Sequence, residues 1–336
     1  MSASREVDLP GPPPIRWGVL GATARAAQLA VMPALAASPK SRLVAVASRS
    51  HPDGTGYDTF GAGRTYGSYE ALLADEEVEA VYLPLPNSLH AEWTVRAAEA
   101  GKHVLCEKPL ATRAVEAAEM AAVCKELGVL LMEAYMTPFH PRSSALADLV
   151  KSRRLGPLRF ARAAFTGIVD LGADDFRSRP ETGGGALLDL GVYCLAPLLA
   201  IGRQLPAQVA SGGMLARSGV DASFSGWMDF DKGFTASFEC SFETPARQNL
   251  EIVGRDGWVT VDRPFTPGPE DTQLQLGFRD GTTEIIDAGG GDAYRGMVDH
   301  VAAVLRDSAD LRRTPEQSVE LLGLIDRLRE AAAWAW

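Results

Sequence analysis

Residues 15–26 read Ile15-Arg16-Trp17-Gly18-Val19-Leu20-Gly21-Ala22-Thr23-Ala24-Arg25-Ala26. A short apolar run ends in glycine, and small residues lead into a helical stretch over 25–37 that Pro33 interrupts. That is the pattern of a strand turning sharply into a helix. Working outward, the same unit repeats. Apolar runs over 43–48, 78–83, 103–107 and 129–134 alternate with helical stretches over 68–74, 89–100 and the Ala-rich 114–127. Strands alternating with helices predict a parallel sheet with right-handed crossovers.

The second half changes character. A helix over 141–154 ends at Gly156-Pro157, and another opens at residues 183–185 and runs to about 201. Strand patterns follow over 158–166, 208–215, 222–230, 234–242, 248–253, 258–261 and 273–278, separated by turns such as Asp231-Lys232-Gly233 and Arg255-Asp256-Gly257. They read as an antiparallel meander. Helices over 294–306 and 315–336 close the chain. The expected architecture is an α/β Rossmann domain with a parallel sheet over 15–136. An α+β domain with an open, mostly antiparallel sheet follows over 137–336.

The chain has 336 residues, 46% of them apolar, enough for two cores. Its 33 basic and 43 acidic side chains give a net charge of -10. The cations are dispersed, which argues against nucleic acid as a partner. No apolar run is read as long enough to span a bilayer. Residues 1–14 are proline-rich, lack the apolar core of a signal peptide and read as a disordered leader. Cys106, Cys124, Cys194 and Cys240 are widely spaced and match no zinc pattern, so no metal site is expected. They read as buried thiols of a protein in the reducing cytoplasm.

Residues 21–26 stand where a G-x-G-x-x-A dinucleotide loop would. Small residues there let backbone N–H groups at a helix N-terminus reach a pyrophosphate. Gly21, Thr23 and Ala24 are the candidates, with Thr23 replacing the middle glycine. The second strand ends Ser48-Arg49-Ser50. NAD sites typically carry an acidic residue at this point for the ribose 2′-hydroxyl. A carboxylate would repel a 2′-phosphate, whereas an arginine and hydroxyls would bind it. NADP is therefore expected over NAD, the alternative being that Arg49 is a solvated residue at a strand end. Residues 84–90, PLPNSLH, form an extended loop at the carboxyl edge of the sheet, where ligands bind in such folds. Pro86, Asn87 and His90 are candidates there. Asn87 could reach the cofactor ribose or cap the next helix, and His90 could be an ordinary first-turn residue.

Glu107-Lys108-Pro109 ends the strand over 103–107, and both polar residues are candidates to face a ligand. Lys108 could donate a hydrogen bond to a carbonyl or alkoxide oxygen, but a lone E-K-P also fits a surface turn. Farther on, Gly183-Gly184-Gly185-Ala186-Leu187-Leu188-Asp189-Leu190-Gly191-Val192-Tyr193 puts Asp189 and Tyr193 four apart on one helix face. A tyrosine beside a lysine suits alcohol–carbonyl interconversion, because the ammonium would lower the phenol pKa. The same spacing fits a capped helix with a half-buried tyrosine. Arg177 and His140 could reach a substrate or be structural polar residues.

Five segments in this order carry a resemblance: GVLGATARAA at 18–27, VYLPLPNSLH at 81–90, AGKHVLCEKPLA at 100–111, LLMEAYMTPFHP at 130–141 and GGGALLDLGVY at 183–193. Over nearly its full length the chain resembles the glucose-fructose oxidoreductase/inositol dehydrogenase (Gfo/Idh/MocA) family. The resemblance implies an active site between the two domains and a cis Lys108–Pro109 bond. It also implies catalytic roles for Lys108, Asp189 and Tyr193. Many relatives carry histidine where Tyr193 stands. Tyrosine there is similar to the branch with D-xylose 1-dehydrogenase, dihydrodiol dehydrogenase and glucose-fructose oxidoreductase. GGGALLDLGVY and Pro264-Phe265-Thr266-Pro267 are also similar to nucleotide-sugar 3-ketoreductases.

The implied activity is hydride transfer between NADP and a sugar-like carbon of a small carbohydrate. The alternatives are a nucleotide-sugar 3-ketoreductase and a non-catalytic NADP-sensing regulator. Phe224, Trp227, Phe238 and Phe242 are assigned to the core, to the outer face of the open sheet, or to both. An apolar outer face would need covering, so a homodimer or homotetramer is expected.

Overall fold

The computed structural model describes residues 12–335 except 57, 170, 171, 173 and 174, so the expected leader lies almost wholly outside the described residues. The first sheet contains β1 (Ile15–Leu20), β2 (Ser41–Ala47), β3 (Arg64–Tyr66), β4 (Ala80–Leu83), β5 (His103–Glu107) and β6 (Leu131–Ala134). They are all parallel, in the order β3-β2-β1-β4-β5-β6. Helices cover both faces, and the central strands are accordingly apolar along their length. Trp17, Val19, Val81 and Leu83 are all fully buried. The three polar residues of β3 carry no periodic signal, and the strand was missed for that reason. The helix at 25–37 tolerates Pro33 because a π turn, Ala27–Val31, precedes the segment Met32–Ala37. The proline then falls in that segment's first turn, where its missing N–H costs little.

The second sheet has nine strands: β7 (Leu158–Thr166), β8 (Gln208–Leu215), β9 (Asp221–Asp229), β10 (Thr235–Ser241), β11 (Arg247–Gly254), β12 (Gly257–Asp262), β13 (Gln273–Phe278), β14 (Thr283–Asp287) and β15 (Ala332–Ala335). Their order is β14-β13-β12-β11-β7-β10-β9-β8-β15. This departs from a plain meander: β7 inserts between β10 and β11 and runs parallel to β10. At the edge, β15 pairs in parallel with β8, so the helix expected over 315–336 stops at Ala331. Alanine favours helix, but an open sheet edge offers the last residues a full ladder of hydrogen bonds.

Alternation along β9 and β10 turns Phe224 and Phe238 inward, stacked 6.2 Å apart, and Phe242 is buried as well. Of the four aromatics assigned to the core or the outer face, Trp227 alone is on the outer face, 41% exposed. That face is otherwise largely polar, with Arg162, Ser225, Ser237, Glu239, Asn249 and Glu251, so the expectation of an apolar outer face is corrected. Two closing helices, Ala293–Asp307 and Pro315–Ala331, return to the first domain. Ala114 N donates to Asp326 at 3.1 Å, and Arg306 pairs with Glu79 at 2.6 Å. All four cysteines are buried thiols.

The segment Pro180–Gly202 is 23 residues long and apolar enough by length and composition to cross a membrane; a short 3-10 turn, Pro180–Thr182, is followed by the break at glycines 183–185 and then by the helix proper. This corrects the expectation that no apolar run is long enough to span a bilayer. In the fold, 72% of its most apolar stretch is buried, which makes it the core helix of the second domain. Close approach explains the glycines at its start. A Cβ on Gly183 would lie 2.6 Å from Thr112 Cγ2, and one on Gly185 would lie 2.1 Å from Asp221 Oδ1. Both have positive φ, +74° and +109°. Asp221 accepts the Leu187 N–H at 2.6 Å, satisfying a donor that the helix start leaves open.

Burial pushes the Asp221 carboxyl up to about 6, against an ordinary 3.8. The folded state therefore holds this proton longer than the unfolded chain does. The resulting stabilisation is full below pH 3.8 and is lost as pH rises through about 6. We predict that Asp221→Asn gains thermal stability relative to the parent protein between about pH 4 and about pH 7. A melting-temperature difference that stays constant over that range would contradict the buried carboxyl.

Candidate active site

The carboxyl ends of β4 and β5 bring the 84–90 loop and Glu107-Lys108-Pro109 to one edge of the sheet. The Lys108–Pro109 peptide is cis. The start of the core helix faces this edge. Lys108 Nζ donates to Asp189 Oδ1 at 2.6 Å and to the Asp189 carbonyl at 2.8 Å. Regular helical spacing does not produce this contact. Asp189 lies in a π turn, Leu187–Gly191, and Tyr193 in the α-helical segment Val192–Gly202 that follows. A π turn disturbs the usual ladder of carbonyls, and such turns recur at functional sites. Here Lys108 takes the Asp189 carbonyl. On the other side of the carboxylate, Arg177 NH1 is 3.8 Å from Asp189 Oδ2, with Arg177 itself held by Asp175 at 2.6 Å. Asp189 thus sits between two cations.

Tyr193 is 7% exposed and packed by aromatic rings, with centroids of Tyr135, Phe165 and Phe265 at 5.4, 5.5 and 6.4 Å. Lys108 Nζ lies 5.0 Å from its ring centroid. Its hydroxyl has the Met136 thioether at 4.0 Å, a weak acceptor. Burial, and then the neighbouring Tyr294 and Glu107, hold the phenol well above its ordinary value. The expected net lowering is corrected: burial outweighs the Lys108 ammonium, which is itself paired with Asp189. The phenol is a neutral O–H donor, suited to bonding a substrate oxygen and passing it a proton. Glu107 points into the protein, accepting from Tyr82 OH at 2.5 Å and from Lys108 N at 3.1 Å. Burial raises its carboxyl above the usual range.

The first loop fits a dinucleotide. Gly21 has φ +99°, and a Cβ there would lie 2.9 Å from Leu85 and 3.3 Å from the Pro84 carbonyl. Thr23 is exposed at the helix start, and Ala24 is partly buried beside it. At the end of β2, the Ser48 and Ser50 hydroxyls are 3.2 Å apart. His51 Nδ1 is 3.1 Å from Ser50 Oγ. Arg49 is exposed and lies over the Tyr69 ring at 5.1 Å. Two hydroxyls, a guanidinium and an imidazole form a donor set for a phosphate monoester. His51 was missed, although it directly follows the Ser-Arg-Ser run.

Three expected positions make hydrogen bonds within the protein. His90 is fully buried, its Nδ1 2.8 Å from the Pro109 carbonyl and its Nε2 2.9 Å from that of Leu85. It ties the two loops together and has no ring nitrogen left for a cofactor. Asn87 donates to the Gly183 carbonyl at 2.8 Å, joining the domains, and its side chain does not cap the following turn. His140 is buried and caps the helix Pro141–Lys151 by accepting from Arg142 N at 3.2 Å. Pro86 is partly buried and leads into the short turn Asn87–Leu89.

Comparison with known proteins agrees with this geometry. Residues 15–135 match the Gfo/Idh/MocA oxidoreductase family, NAD-binding Rossmann fold, and residues 144–260 match the Gfo/Idh/MocA C-terminal domain. The chain is 38% identical over 321 residues to D-xylose 1-dehydrogenase (NADP(+)) 2 of Haloferax volcanii, covering 94% of this chain and 97% of that protein. It is 36% identical over 332 residues to a dTDP-3,4-didehydro-2,6-dideoxy-alpha-D-glucose 3-reductase of Streptomyces violaceoruber, covering 95% of each. Among solved structures, the 3-ketoreductase KijD10 of Actinomadura kijaniata with NADP and TDP-benzene superposes with a TM-score of 0.86. It is 33% identical, covering 96% of this chain and 98% of that one. With both domains matched and relatives this similar over nearly its whole length, the chain belongs to the Gfo/Idh/MocA family of oxidoreductases.

Proposed function

We propose that this protein is an NADP-dependent oxidoreductase interconverting a hydroxyl and a carbonyl on a sugar-like carbon, as an aldose or pyranose dehydrogenase/reductase. The observation that carries the reading is the Lys108–Asp189 pair at 2.6 Å, set against the buried Tyr193 phenol at the edge where the Rossmann loops end. NADP, when bound, would supply or accept the hydride. Residues Gly21, Thr23 and Ala24 would hold its pyrophosphate, and Ser48, Arg49, Ser50 and His51 its 2′-phosphate.

The remaining chemistry belongs to side chains. The neutral Tyr193 hydroxyl bonds the substrate oxygen and gives it a proton in the direction of reduction. The Lys108 ammonium, 5.0 Å from the ring, stabilises the phenolate as it forms. Asp189 fixes Lys108 and can accept from a further substrate hydroxyl. A regulator that only sensed NADP would have no use for this arrangement. The reading is supported by relatives named for NADP-dependent xylose oxidation and for keto-sugar reduction.

A second reading, a nucleotide-sugar 3-ketoreductase, is favoured by Phe265. Its ring stacks on Phe165 at 5.5 Å and lies 6.4 Å from Tyr193, so the 264–267 segment that resembles such enzymes borders the site. We also propose a homodimer or homotetramer, and residence in a reducing cytoplasm, in keeping with the four buried thiols.

Tyr193→Phe and Lys108→Ala should each lower kcat by about 10²–10⁴-fold while NADP binds nearly as before. Near-normal turnover in both variants would refute the roles. Arg49→Ala should raise the KM for NADP by about tenfold or more and leave that for NAD little changed. Equal effects on the two would remove the 2′-phosphate assignment. Turnover of free aldoses, measured beside dTDP-linked keto-sugars, decides between the two readings: activity on the nucleotide-linked substrates alone would select the second.

A further inference from the structure

Behind the site lies a buried ion pair that the chemistry above leaves unused. Glu133, in β6, is 2% exposed, and Arg313, just before the helix Pro315–Ala331, is 7% exposed. The Glu133 carboxylate is fully engaged. Oε1 accepts the Leu110 N–H at 2.8 Å, and Oε2 accepts from Arg313 Nε at 2.8 Å, from its terminal nitrogen and from Ser318 Oγ at 2.9 Å. Thr314 then caps the helix in a capping box with Gln317, which anchors Arg313 to a rigid start.

Two lines run from this pair to the site. Leu110 is two residues from Lys108, and the Pro109 carbonyl between them is held by His90 at 2.8 Å. The backbone beyond Lys108 is therefore gripped by two buried side chains, one on the Pro109 carbonyl and one on the Leu110 N–H. The second line passes through rings. The Arg313 guanidinium lies 5.4 Å over Tyr135, whose ring is 5.4 Å from that of Tyr193. One ion pair thus touches the loop that bears Lys108 and the aromatic packing that seats Tyr193. For stability alone, an apolar pair of similar size commonly does as well as a buried ion pair. An apolar pair could not accept the Leu110 N–H.

We propose that Glu133 and Arg313 are positioning residues that set the placement of Lys108 and Tyr193 from behind the active site. The proposal rests on the roles given to those two residues under the proposed function. Glu133→Gln keeps an acceptor for Leu110, whereas Glu133→Leu combined with Arg313→Met removes the acceptor and both charges together. The double variant should still fold, melting below the parent because the buried Leu110 N–H loses its acceptor, and should lose kcat by about tenfold or more, with KM for NADP within about threefold. Glu133→Gln should retain more kcat than the double variant even if it melts lower.

A second readout needs no turnover. Lys108 is 14% exposed in its ion pair. Its modification by an amine-reactive reagent, followed by mass spectrometry of the full chain, should become several-fold faster in the double variant, with the other lysines unchanged. A folded double variant with parental kcat and parental Lys108 labelling would overturn the proposal. Failure of Tyr193→Phe to impair turnover would instead sink the reading on which it rests, so the two failures are distinguishable. Should the double variant not fold, unchanged Lys108 labelling and kcat in a folded Glu133→Ala would overturn the proposal equally.

Discussion

The ion pair between Lys108 and Asp189 is the contact on which the working arrangement depends. Its partners come from different domains, 81 positions apart in the chain, and are 14% and 19% exposed. Charges so far removed from water are tolerated when they are paired and hydrogen-bonded, and removing one partner of a buried pair costs about 3–5 kcal/mol. Lys108 satisfies this with two bonds to a single residue, one to its carboxylate and one to its carbonyl. The second bond uses a carbonyl at a π turn.

Other contacts hold the same seam. Asn87 bonds the Gly183 carbonyl across the domain boundary, and His90 ties the 84–90 loop to Pro109. Gly183 presses on Thr112, and Gly185 presses on Asp221. The glycine run at 183–185 thus brings two domains and one buried carboxylate together at van der Waals distance. Side chains that resembled cofactor ligands serve instead to hold the loops that would carry the cofactor. Tyr193 depends on the same packing: its aromatic surroundings exclude water and keep the phenol neutral.

Much of this was legible in the chain. The parallel sheet followed from alternating apolar runs, because strands buried on both faces must be apolar throughout. Lys108, Asp189 and Tyr193 were singled out by residue type and by motif order, and the fold brings them together. What escaped was local in length but not in cause. β3 is too short and polar to signal itself. β15 forms only because an edge is available at β8. Phe224 and Phe238 could have faced either way, and the pairing register turned them inward.

The two-domain architecture, the Gfo/Idh/MocA resemblance and the chemical inventory of the site can be read along the chain. Periodicity, glycine placement and residue type are local properties, and they survive being read one stretch at a time. The internal bonds of the polar side chains depend on the folded arrangement. His90, Asn87 and Glu107 stood out as candidate ligands in the sequence, and in the fold each also makes hydrogen bonds within the protein. The direction of the Tyr193 shift was likewise settled by burial, which outweighs the nearby ammonium once that ammonium is paired with Asp189. Desolvation and hydrogen-bond competition depend on every group within a few ångströms, and those groups come from segments far apart in the chain.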